Sequence, residues 1–126
     1  MRVAIIGSNL FDCNYRCDGR SFNDILDVLL RENSSDDIVI LEEGSSHIGK
    51  MCREWCKSND VLFEEYMREY DDISLTASHR LNSLMIERCD ICIIFNLKYD
   101  DCFQVINAIE LAKSLNKPYT ILTMSM

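Results

Sequence analysis

The sequence predicts an α/β domain: a doubly wound, five-stranded parallel sheet of order 3-2-1-4-5 with helices on both faces. Three observations predict it. Short apolar runs alternate with segments of helical period along the whole chain, which is the pattern of successive β-α-β units. The runs are apolar throughout, as in strands covered on both faces. The 126 residues are 48% hydrophobic, material for one core in a single domain spanning 1–126. Right-handed crossovers then wind the sheet outward in both directions from its first strand, a Rossmann-like layout.

From the N-terminus, Arg2 to Gly7 (RVAIIG) is the first strand, and a loop follows from Ser8 to about Gly19. Ser21 is an N-cap, with Phe22, Ile25, Leu26, Leu29 and Leu30 on one helical face. A polar break at Ser34 to Asp37 leads into the second strand, Asp37 to Glu42. Ser46 caps a helix running to about Ser58, with Ile48, Met51, Cys52, Trp55 and Cys56 on one face. Asp60 to Glu65 is the third strand, and Tyr66 to Leu75, charged and aromatic without a period, is a long loop. Thr76 to Glu87 is the third helix and Asp90 to Phe95 the fourth strand. The fourth helix runs from about Asp101 to Leu115, capped by Asp100 or Asp101 and stopped by Asn116–Lys117–Pro118. Tyr119 to Met124 is the last strand.

Charge and composition exclude some functions. A net charge of −8 with 13 scattered basic residues opposes binding to a nucleic-acid polymer. No apolar run approaches the roughly 20 residues of a membrane span, and no cleavage site follows the first strand. Seven cysteines, an odd number without a secretion signal, predict reduced thiols and a cytoplasmic location. The spacings Cys13/Cys17, Cys52/Cys56 and Cys89/Cys92 admit zinc, but buried core thiols are the preferred reading, with neither metal nor cofactor expected. The dinucleotide fingerprint, the P-loop and the common hydrolase motifs are absent.

Sheets of this order bind ligands beyond the strand carboxyl ends, where the order reverses. Here the reversal lies between the first and fourth strands. The predicted lip is Gly7–Ser8–Asn9, Gly44–Ser45–Ser46 and Asn96–Leu97. Gly7 and Gly44 serve either a close-approaching ligand or a tight turn. Ser45 and Ser46 either cap the second helix or present its free N–H groups to a phosphate. Asp100 and Asp101 either suit the fourth helix end or accept from ribose hydroxyls. His47 and His79 can reach the sheet edge or stay solvated. Arg80 can clamp a phosphate or merely solvate its helix, and Lys50 and Arg53 read as a solvated face.

The segments GSSHIGKMCREW (Gly44 to Trp55), NSLM (Asn82 to Met85) and DICIIFN resemble the SLOG superfamily, in its small YspA-like, cpYpsA-related branch. Trp55, Asn82 and Met85 match that branch, Gly44 matches the second Gly of its loop pair, and RVAIIGS resembles its opening strand and turn. Glu43, His47, Gly49 and Leu81 depart from it. Asn96–Leu97–Lys98–Tyr99–Asp100 stands where the related cytokinin-activating phosphoribohydrolases carry a phosphate loop followed by a catalytic Glu. Gly7 to Phe11 together with DICIIFN also resembles the nucleoside 2-deoxyribosyltransferases; their nucleophilic Glu would fall at Ala108, and Glu110 would face about 200° away.

The resemblance implies a nucleotide or nucleotide-derived ligand held by Gly7, Ser8, Asn9, Phe11, Gly44, Ser45, Ser46, His47, Arg80, Asn82, Asn96 and Asp101, in a sensor or a sequestering protein. A hydrolase of N-glycosidic bonds is the first alternative, with Glu43, Asp100 or Asp101 as its carboxylate. A ligand-free interaction domain is the second. SLOG proteins commonly pair through helices, so a homodimer or higher homo-oligomer is implied, with Tyr66, Met67 and Tyr70 either exposed surface for pairing or a cover folded over the ligand.

Overall fold

The computed structural model describes residues 1–8, 10–43, 47–67 and 75–126, without the side chains of 75 and 76. Its elements are β1 (Arg2–Gly7), α1 (Phe22–Glu32), a 3₁₀ turn (Ser35–Asp37), β2 (Val39–Glu42), α2 (His47–Asn59), β3 (Leu62–Glu65), α3 (Leu75–Arg88), β4 (Ile91–Leu97), α4 (Phe103–Ser114) and β5 (Tyr119–Met124). All strand pairs are parallel and the order is β3-β2-β1-β4-β5, as the sequence predicts.

Strand alternation sends successive side chains to opposite faces. Val3, Ile5, Ile40, Ile93 and Phe95 meet Ile25 and Leu26 of α1 and Ile48, Cys52 and Trp55 of α2. Ala4, Ile6, Leu41, Cys92 and Ile94 meet Leu81, Met85 and Ile86 of α3 and Val105, Ala108 and Ala112 of α4. The sheet is thus the middle of three layers, with one apolar cluster on each side.

Local chemistry explains the element ends. The Ser21 hydroxyl accepts from the Asp24 N–H and the Asp24 carboxylate accepts from the Ser21 N–H, closing a capping box on α1. The Ser21 backbone N–H, and after it the Ser21 hydroxyl, hold the Asp24 carboxyl below its usual range. α4 ends where Asn116 takes the left-handed conformation at φ +53°, which Asn tolerates better than most residues.

Three expectations need correction. β4 continues through Asn96 and Leu97, because β5 supplies Thr123 and Met124 as partners; Asn96 is a strand residue and not part of a loop. α4 starts at Phe103 with Cys102 in the cap position, so neither Asp100 nor Asp101 caps it. The Asp100 N–H instead closes a turn onto Leu97 O, and its carboxylate is engaged elsewhere. Tyr66 is buried, its hydroxyl donating to Glu64 Oε1 at 2.5 Å beneath the Arg88 guanidinium, and is not exposed surface. Met67 is exposed, while Tyr70 and the proposed Ser46 cap lie outside the described residues.

Candidate functional site

The reversal of strand order places the end of β1 against the end of β4: Gly7 pairs with Phe95, and the Ser8 N–H donates to Phe95 O at 3.4 Å. The two following loops are bridged there. The Ser8 hydroxyl donates to Asp100 Oδ2 at 2.5 Å and accepts from the Leu10 N–H at 3.2 Å. Ser8 is buried, so this charge-assisted bond stands largely apart from water and fixes the spacing of the two loops.

The α1/α2 side of the crevice is filled. Phe11 is 1% exposed, its ring 5.4 Å from Phe95 and 5.9 Å from both Phe22 and Tyr15. Phe11 therefore belongs to the core and does not face a ligand. Gly7 is needed here for packing: a Cβ at that position would lie 2.7 Å from Ile48 Cδ1. The glycine lets the start of α2 descend onto the end of β1.

At the ends of β1 and β2 a small space remains toward α3 and α4, far smaller than the separate cavity of about 640 Å³ lined by α1 and α2 residues such as Asp27, Met51 and Trp55. Ile6, Gly7, Glu42, Glu43, Leu81, Asn82, Met85 and Gln104 enclose a notch of about 20 Å³. Glu42, 4% exposed, ends β2 on the face of Ile40, where its charge adds to the burial that pushes the Cys52 thiol well above its ordinary range. Beside the notch runs a chain of side-chain amides across the α3–α4 contact. Asn82 Nδ2 donates to Gln104 O at 3.1 Å and to Asn107 Oδ1 at 3.2 Å, and Asn107 Nδ2 meets His79 Nδ1 at 2.8 Å.

The predicted site residues thus divide. Gly7, Ser8 and Asn82 converge on the notch and its bridge, and Asn96 shares the α3/α4 side of β4 by its alternation with Ile94. Asp101, His47 and Arg80 are exposed. Asn9, Gly44, Ser45 and Ser46 lie outside the described residues. Glu42, Gln104 and Asn107 were not singled out from the sequence. Strand alternation carried a signal for Glu42, two residues after the buried Ile40. Among the described residues no group of three or more His, Cys, Asp or Glu side chains could hold a metal, and no helix is long and apolar enough to cross a membrane.

No family model matches the chain, and no curated protein or solved structure matches it, so the reading of the site rests on its own geometry.

Proposed function

We propose that this protein binds a small nucleotide-derived metabolite at the carboxyl edge of its sheet, as a cytoplasmic sensor or sequestering protein. The observation that carries the reading is the reversal point itself, where Ser8 and Asp100 meet beside a small notch lined by polar and apolar residues. Ligands of doubly wound sheets bind at this position. The described residues around it are rich in carboxylates: Glu42, Glu43, Asp100 and Asp101. Carboxylates accept from hydroxyl and amino groups, so the base or ribose lies over the described lip. The phosphates lie toward residues 44–46, ahead of the α2 N-terminus, and toward Arg80. The protein acts as a homodimer or higher homo-oligomer, as the SLOG resemblance implies.

Calorimetric titration with nucleoside mono-, di- and triphosphates, cyclic nucleotides and ADP-ribose tests the reading. A dissociation constant below about 1 mM for at least one member is expected; no heat from any of them would overturn it. Mass spectrometry of what co-purifies with the protein identifies the ligand.

The carboxylates Glu43, lining the notch, and Asp100, bonded to Ser8, favour one second reading, hydrolysis of an N-glycosidic bond, in which a carboxylate stabilises an oxocarbenium-like centre. Turnover that survives replacement of Glu42, Glu43, Asp100 and Asp101 by their amides would exclude it.

A further inference from the structure

Hydrogen-bond accounting at the notch defines the kind of atom it accepts. The backbone carbonyl oxygen of Gln104 can only accept, so the group facing it at 3.1 Å must be the Asn82 amide nitrogen. That nitrogen also donates to Asn107 at 3.2 Å, which must therefore present Oδ1. Asn107 then turns Nδ2 toward His79 Nδ1 at 2.8 Å. Each assignment follows from the one before, starting from a main-chain carbonyl that cannot be flipped.

Both amide hydrogens of Asn82 are thereby committed to α4. The one hydrogen-bonding atom it can turn to the notch is Oδ1, which takes no hydrogen bond among the described residues. Glu43 borders the same notch on the α3/α4 side and its carboxylate oxygens are acceptors, whereas Glu42 turns its side chain to Cys52 on the other face. Gln104 differs. Its Oε1 takes the Cys102 thiol at 2.8 Å, so its side chain offers Nε2–H donors. At about 20 Å³ the notch seats a single polar heavy atom.

We infer that the notch reads a ring-bound amino group lying next to an unprotonated ring nitrogen, the edge presented by adenine or cytosine. The inference rests on the nucleotide-binding reading above. The amino nitrogen sits in the notch and gives its hydrogens to Asn82 Oδ1 and the Glu43 carboxylate, and the neighbouring ring nitrogen, outside the notch at its mouth, accepts from Gln104 Nε2. The matching edge of hypoxanthine or uracil carries an oxo group and an N–H. It would set lone pair against lone pair and hydrogen against hydrogen, with the lining left unpaired and cut off from water.

Calorimetry with adenosine against inosine 5′-monophosphate, and cytidine against uridine 5′-monophosphate, tests this. The amino member of at least one pair should bind about tenfold tighter or more, which also names the base. The ratio should fall to near one in Asn82→Ala, with thermal melting confirming the fold. Should that variant not fold, Gln104→Glu, at a half-buried position, replaces the donor by an acceptor and should collapse the same ratio. Equal binding or a preference for the oxo member in both pairs, or a ratio unchanged in the folded variant, overturns the inference and leaves nucleotide binding standing. No binding of any of the four overturns both.

Discussion

The two faces of the sheet solve the same covering problem with different chemistry. On the α1/α2 face, Phe11, Phe22 and Phe95 pack ring to ring at 5.1–5.9 Å over Val3 and Ile5. A polar link fastens α2 to α1, from Trp55 Nε1 to Asp27 Oδ1 at 2.9 Å. On the α3/α4 face, the small side chains Ala4, Ala108 and Ala112 allow close approach, yet the layer also buries Ser8, Ser78, Asn82 and Asn107. Buried amides stabilise a fold only when every donor and acceptor is met, and an apolar side chain fills the same space at lower risk.

The comparison breaks first under large truncations. Phe95 is fully buried and touches both other rings, so Phe95→Ala should cost about 3–5 kcal/mol in chemical denaturation. Asn107→Ala on the other face should cost about 1–3 kcal/mol, the expense of stranding Asn82 and His79 without their partner. Binding should rank the two variants the other way. Asn107→Ala releases one of the two bonds that hold the Asn82 amide and should narrow the amino-over-oxo preference, whereas Phe95→Ala should leave it intact wherever the protein is folded. A stability loss from Asn107→Ala exceeding that from Phe95→Ala would erase the distinction between the faces.

Close packing on the aromatic face sets a smaller effect. Gly7→Ala drives a methyl to within 2.7 Å of Ile48 Cδ1, the far end of a side chain that can give way. The expected cost is about 1 kcal/mol, at the low end for overpacking. Ile48→Val removes that Cδ1, so the double variant should be more stable than the sum of the single effects predicts. Strict additivity would mean that Gly7 is required for something other than room for Ile48.

The sequence made these faces legible unequally. The five strands and their order followed from uninterrupted apolar runs and crossover handedness, because a strand covered on both sides leaves no choice of residue type. Ser21 was legible because a capping serine acts within its own turn. Asp100 was not: its position ahead of a helix suggested a cap, but a contact 92 residues away in the chain takes its carboxylate to Ser8 and delays the helix to Phe103. Phe11 carried a loop position and turned out to be core, since loop membership says nothing about which way a ring packs. Asn82 was picked out by resemblance, yet its partner Asn107 was invisible, because an amide inside an apolar helix reads as a surface residue until the facing helix is placed. The segment Gly44 to Ser46, central to the phosphate expectation, lies outside the described residues.

The gentlest probe of the comparison is the thiols, since each face buries two. Cys52 and Cys56 lie under α2, and Cys89 and Cys92 flank the start of β4. Burial pushes the Cys56 thiol from about 9 up to about 12, and it raises Cys52 and Cys92 as well. Burial also raises Cys89, but Lys117, whose Nζ donates to Cys89 O at 2.8 Å, pulls in the opposite direction. A thiol that keeps its proton in the folded state and loses it in the unfolded chain near pH 9 makes stability pH-dependent. The contribution is complete below pH 9 and is lost as pH rises toward 12. Stability measured in urea should therefore show almost no thiol-linked slope near pH 7 and a decline that steepens as pH rises through 9. With Ellman's reagent at pH 8, the exposed Cys13 should react in the folded protein, and the four buried thiols only after unfolding. As pH is raised, Cys89 should be the first buried thiol to react, and Lys117→Met should delay it. Simultaneous onset on both faces would mean that the cation at the β4 end does not tune its layer.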